Sequence, residues 1–293
     1  EFVPRVGQTF NYNPTNFFQR PDDRLNGGFF GKYDINDTTQ VYVDLTFMKS
    51  ESNAQIAYSG TFGNITHLPC YNALLSAQQY KVACSDWVGM GGDHAPNFTS
   101  NAAALAYISG LEIAKGNGSI IDYRAPMYSL KRNVEGNPRQ SIYMYKSYNQ
   151  TIGITGEIND NWSYDLYYQN SIVNYSNEYR NDLSVTAINR AVDVVNINGV
   201  PTCVSAINGT DSSCIPYNLF QGGQPGDAGI TGVRDGGQAL QNYIANATYI
   251  HGDGKQKILS GYISGDTGWT IPGAPGSVSL VAGFETKELD TDF

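Results

Sequence analysis

Charged side chains are scarce in this sequence: Asp, Glu, Lys and Arg make up 15% of it, against roughly 25% in ordinary soluble domains. Positive charge is the scarcer sign, with 18 Lys and Arg against 27 Asp and Glu and a net charge of −9. No Lys/Arg-rich run is present to track a phosphate backbone, so a nucleic-acid partner is not expected. Long apolar runs are missing as well. The longest, 102–108 (AAALAYI) and 278–284 (VSLVAGF), fall far short of the ~18 residues of a membrane-spanning helix. The opening residues EFVPRVGQTF hold no basic stretch followed by an apolar one, so no secretory leader is read there, and the chain is expected to be processed or part of something longer. Catalytic signatures are lacking too. There is no G-x-S-x-G, H-E-x-x-H or GK[ST] segment, and 89–92 (GMGG) precedes no strand-to-helix pattern, so neither enzymatic activity nor a cofactor is expected.

Cysteine and histidine are few, four and three copies. Cys70 with Cys84 and Cys203 with Cys214 form two close pairs, each in a Gly/Asn/Ser-rich stretch. Three pairings are open in principle. Short loops cost the least entropy to close, so sequence neighbours are the expected disulfide partners, and the compartment is then oxidising. The spacings match no C-x2-C pattern, and His67, Asp93 and His94 have no spacing that fixes a metal geometry, so no metal is expected.

What the chain does have is Tyr (21), Gly (32) and period-2 alternation. Residues 24–34 place Leu25, Phe29 and Tyr33 on one face. After a turn at 35–39, residues 40–49 put Val41, Val43, Leu45 and Phe47 on one face and Tyr42, Asp44 and Thr46 on the other. A second hairpin, 141–158 and 162–170, carries Met144, Ile152, Ile154 and Ile158, then Trp162, Tyr164, Leu166 and Tyr168, on even positions, with Ser163, Asp165, Tyr167 and Gln169 opposite. A weaker pair spans 255–266 and 277–288 across WTIPGAPGS. Such alternation marks half-buried antiparallel strands. Two long connections separate the hairpins, about 59–139 and 181–254, each holding one cysteine pair and a stretch of helical spacing, 101–115 behind Ser100 and 184–195. Loops this long are uncommon in compact domains and usually functional.

Short turns alternating with long loops are the asymmetry of an outer-membrane β-barrel. Charges obey the same geometry: at ~3.3 Å per residue and a tilt of about 45°, Lys146 stands roughly 28 Å from the level of Ile158, outside an apolar band of ~25 Å, and Lys49 likewise follows Phe47 at the far end of its strand. Tyr33, Trp162 and Tyr164 near the short turns, with Phe47 and Tyr168 at the far border, have the placement of aromatic girdles. Parity predicts Val43, Leu45, Ile152, Ile154, Trp162 and Leu166 facing lipid, and Tyr42, Asp44, Tyr143, Tyr145, Asp165, Tyr167 and Gln169 facing a lumen. A soluble β-sandwich would show the same period, because it too buries one face.

The stretch NPTNFFQRPDDRLNGGFFGKYDINDTTQVYVDLTFMKSESNAQIAYSGTFG (13–63) resembles the barrel of TonB-dependent outer-membrane receptors, and CYNALLSAQQ (70–79), YRNDLSVTAINRAVDVV (179–195) and IPYNLFQGG (215–223) resemble loop elements of the same family, in the same order. The resemblance implies an antiparallel transmembrane β-barrel of about 22 strands, preceded by a plug, that takes up a scarce nutrient such as a ferric chelate or an oligosaccharide. Implied partners are outer-membrane lipid, the remainder of the barrel, the plug and, through the plug, the TonB energy-coupling protein. The implied location is the outer membrane of a Gram-negative bacterium. Only about six strands and no plug are read here, so residues 1–293 are expected to be an internal barrel section whose first and last strands pair with strands outside it. Two other readings stay open: a secreted all-β adhesin or carbohydrate-binding module, and a passive porin. The cluster Arg20, Asp22, Asp23 and Arg24 reads as local pairing at the start of a strand. Asn-x-Ser/Thr at Asn64, Asn117, Asn161, Asn208 and Asn246 reads as chance in an Asn/Thr-rich chain.

Overall fold

A computed structural model describes residues 10–86, 88–92, 94–120, 122–220 and 234–293. In chain order the strands are β1 (Asp22–Asn36), β2 (Thr39–Tyr58), β3 (His67–Pro69), β4 (Asn97–Phe98), β5 (Arg124–Pro126), β6 (Pro138–Asn159), β7 (Trp162–Leu183), β8 (Val194–Ile197), β9 (Val200–Cys203), β10 (Ala245–Thr270) and β11 (Ser277–Asp292). The helices are α1 (Ala77–Tyr80), α2 (Asn101–Gly116), α3 (Val185–Val192), α4 (Val204–Ile207) and α5 (Arg234–Ile244). The protein is mainly β, and its strands pair antiparallel apart from the short parallel pair β4 and β8. The chain divides into two compact units, one of Phe18–Ala54, Ser141–Glu178 and Thr248–Phe293, the other of Glu1–Phe17, Gln55–Gln140 and Tyr179–Ala247.

The first unit belongs to a six-stranded sheet in the order β1-β2-β6-β7-β10-β11, a meander without crossovers. Tight turns make the hairpins. Asn36 Oδ1 accepts from the Thr38 N–H at 2.9 Å and Asn159 Oδ1 from the Asn161 N–H at 3.0 Å, the local bonds by which Asn closes turns. Phe29 lies opposite Leu45, Tyr33 opposite Val41, and Phe284 opposite Gly261. Among the described residues β1 and β11 each have a partner on one side only, and no barrel closes. Every buried hydrophobic residue of the protein lies outside this unit. Its apolar side chains stand open instead: Leu25, Phe29, Tyr33, Ile152, Ile158 and Phe284 are all more than half exposed.

The strands outrun the periodic stretches. β6 starts at Pro138, β7 runs to Leu183 and β10 starts at Ala245, so the connections shrink to 59–137 and 184–244. The added ends carry Tyr, Asn, Ser, Glu and Arg on both faces; backbone pairing holds them, and that leaves no mark in hydrophobic spacing.

The second unit is where the core lies. The two long connections fold together: Ile65, Leu68, Leu75 and Ala125 of the first pack with Ile188, Ala191, Val192 and Tyr217 of the second, and Leu240 and Ile244 of α5 complete the cluster. β4 of one connection pairs with β8 of the other. Helix α2 begins where expected, with the Ser100 hydroxyl accepting from the Ala103 N–H at 3.2 Å, an N-cap. Helix α3, capped by Ser184, ends at Val192 rather than 195. The apolar run continues as β8 because the Val194 carbonyl accepts from Ala73 and the Asp193 carbonyl from Val204. Cys70 is bonded to Cys84 and Cys203 to Cys214, with Cα separations of 5.7 and 6.1 Å.

Candidate functional site

Two surfaces carry chemistry, one in each unit. In the sheet unit, alternation puts Val43, Leu45, Ile152, Ile154, Trp162 and Leu166 on one face. Cross-strand neighbours agree: Phe47 packs on Tyr148 with ring centroids 5.1 Å apart, and the space beside Gly261 and Gly265 is taken by Leu166 and by Trp162. Tyr42, Asp44, Tyr143, Tyr145, Asp165, Tyr167 and Gln169 share the opposite face. There Tyr42 Oη donates to both carboxylate oxygens of Asp165 at 3.3 Å. Gly153 allows that approach, because a Cβ at this position would come within 2.2 Å of the Tyr42 ring. Tyr145 packs on Tyr175 at 4.9 Å. Gln169 Nε2 donates to Ser171 Oγ at 2.9 Å, and that hydroxyl donates to Asn149 Oδ1 at 2.6 Å.

This face is a field of phenols, amides and carboxylates, suited to hydrogen-bonding a polar surface. Sequence reading missed Lys32, which lies opposite Tyr42, and Asn149, Ser171 and Tyr175. Extending the parity outward along each strand would have found them.

In the loop unit, polar groups tie the two connections together. Tyr71 Oη donates to Asp193 at 2.8 Å. Burial raises the Asp193 carboxyl, and the Tyr71 bond opposes that rise; the Tyr71 phenol is itself raised, first by burial and then by the Asp193 charge. Asn133 and Gln241 exchange both amide bonds, at 2.5 and 3.0 Å, over Gly136, where a Cβ would sit 2.6 Å from either side chain. Lys131 and Glu135 pair at 2.5 Å with side chains 11% and 2% exposed. Asp211 gathers Ser213, Tyr243 and Arg190 and is held down at about 2, with the Ser213 hydroxyl the largest cause. The Tyr71–Asp193, Asn133–Gln241, Asp211–Tyr243 and Asp211–Arg190 pairings were not legible, because each joins residues well apart in the chain. An apolar cavity of about 240 Å³ is lined by Leu68, Leu75, Val82, Ala83 and Met127, roomy enough for a small apolar group.

No group of metal-ligating side chains forms among the described residues. His94 donates through Nε2 to the Leu75 carbonyl oxygen at 2.5 Å, and His67 Nδ1 bonds the Thr66 hydroxyl at 3.0 Å; Asp93 lies outside the described residues. Arg24 pairs with Asp22 at 3.6 Å on an open surface, a local contact of little energetic weight. Comparison of the chain with protein-family models, with curated proteins and with solved structures finds no match.

Proposed function

We propose that this chain forms part of the wall of a TonB-dependent outer-membrane transporter, with the two stapled connections on the extracellular side. One observation carries the reading: a six-stranded meander presents a continuous apolar face that nothing in its own unit covers. In water such a face is an aggregation liability far larger than the isolated apolar residues of a normal surface. A sandwich would bury it under a second sheet, and this unit holds no second sheet. In an outer membrane the face meets hydrocarbon, its charges stay at the long-loop end, and the Tyr- and Asp-rich face lines the interior against a plug or a polar solute. Energy-coupled uptake of a ferric chelate, an oligosaccharide or a similar nutrient is the activity this reading assigns, with the plug and the energy-coupling protein as partners.

Single cysteines test it. The four cysteines of these residues are all disulfide-bonded, so in a protein free of other reduced thiols a cysteine introduced at Ile154 or Asp165 is the target for a water-soluble maleimide. In outer membranes Ile154→Cys should resist labelling until detergent is added, while Asp165→Cys should label once the interior is opened to the reagent. Recovery of the protein in the soluble fraction, or equal labelling of both sites, would favour a secreted adhesin or carbohydrate-binding module.

A further inference from the structure

The apolar face ends in an arrangement that sheets ordinarily avoid. Between β2 and β6, Glu157 N–H donates to the Thr38 carbonyl, Tyr42 faces Gly153, and Phe47 packs on Tyr148. Each step forward along β2 matches one step back along β6, so the register is constant, and it still holds where the Gln55 and Gln140 amides bond at 2.9 Å. The next pair beyond Phe47 and Tyr148 on the same face is therefore Lys49 opposite Lys146. Like charges directly opposite each other on neighbouring strands destabilise a sheet. Lys49 reaches Glu51 at 3.4 Å, whereas Lys146 makes no ion pair among the described residues. The other lysines on this face differ, since Lys257 lies opposite Glu288 and pairs with it at 3.2 Å, and Lys255 lies opposite Asp290.

We infer that Lys49 and Lys146 form a binding site for the phosphate of an outer-leaflet lipid, lipopolysaccharide, with its acyl chains lying on Phe47 and Tyr148. The inference rests on the membrane reading above. Two lysines at directly opposed positions, with one carboxylate beside them, suit a multiply charged phosphate. The aromatic pair one step toward the short turns sits where headgroup gives way to hydrocarbon. A free anion would gain the charges but nothing from the rings.

The test is bound lipopolysaccharide phosphate per protein, measured on full-length protein extracted from outer membranes in mild detergent, with purified lipopolysaccharide added back as the probe. Lys49→Gln with Lys146→Gln should lower it at least threefold, and Lys257→Gln should leave it unchanged. Lys146→Glu supplies a check on folding: it converts the repulsive pair into an attractive one, so bound phosphate should fall while the thermal midpoint holds or rises. Excess inorganic phosphate should not displace the lipid. Unchanged lipid phosphate in the Lys146→Glu protein and in the double variant, or displacement by inorganic phosphate, overturns the lipid site and leaves the transporter reading standing. A wild-type protein absent from the membrane fraction overturns both.

Discussion

At the scale of single residues, the energetic stakes differ sharply between the two faces of the sheet. On the transporter reading Ile154 lies in the middle of the lipid-facing band, where an arginine would cost about 2–4 kcal/mol, and Ile154→Arg should then lower the yield of heat-resistant, membrane-assembled protein severalfold. Asp165→Asn removes a charge from the polar face and leaves Tyr42 an acceptor, and its yield should match wild type. In the loop unit, Asp193 is a carboxylate whose folded value is raised by burial; it therefore costs stability at neutral pH, and the Tyr71 bond offsets part of that cost. Tyr71→Phe should destabilise by about 1–3 kcal/mol, read as a lower thermal midpoint, while Asp193→Asn, which keeps an acceptor without the charge, should be far milder. Asp122 behaves in the opposite sense. Its bonds to Arg124, with Lys115 adding a further contact, hold it at about 2 against an ordinary 3.8. The stability it contributes is complete above about pH 4 and is lost as pH falls toward 2, and Asp122→Asn should flatten that part of the acid-unfolding curve.

At the scale of elements, the disulfides are local staples. Each closes a loop of modest length, with sequence separations of 14 and 11 residues, and each is worth roughly 3 kcal/mol by loop-closure entropy. Replacing both Cys203 and Cys214 by Ser should lower the unfolding midpoint and speed amide exchange in β9 and α4, while leaving exchange in β1 and β11 as it was. The hairpins were legible in the sequence because Val43, Leu45, Ile152 and Ile154 alternate strictly with polar residues, and so was the α2 cap at Ser100. The rest of the strands was not, since the far ends of β7 and β10 carry polar residues on both sides and so show no apolar alternation, their contacts being backbone pairing and polar bonds such as Asn174 to Asp253. The end of α3 was missed for a related reason: Val194 and Val195 continue its apolar spacing, yet pairing with Cys203 and Thr202 of β9 and a bond from Ala73 to Val194 draw them into a strand. The core shared by the two connections left no trace in sequence, because each connection contributes only part of it.

At the scale of the whole molecule, hydrogen-bond accounting makes a further demand on the membrane reading. Among the described residues the outward edges of β1 and β11 have no strand partner, and an unpaired backbone group costs several kcal/mol in hydrocarbon, so on that reading both edges would have to pair with further strands. Amide exchange on membrane-embedded full-length protein should show residues 25–33 and 278–288 protected along both edges. Fast exchange at every second amide of either strand would mean an open edge and would sink the barrel reading.

The pairing of β4 with β8 brings Asn97 to Asn196 and Phe98 to Ile197, about a hundred residues apart, while each disulfide stays within its own connection. Folding in time must reflect this. The staples can form as soon as each connection meets an oxidant, because their partners are already neighbours. The common core has to wait until β6 and β7 have been laid down between the two halves, and contacts of such long range are slow to find. Closing the shared core around Ile65, Ile188 and Leu240 is therefore the step of longest range in the folding of the loop unit, and oxidation of the cysteines need not wait for it.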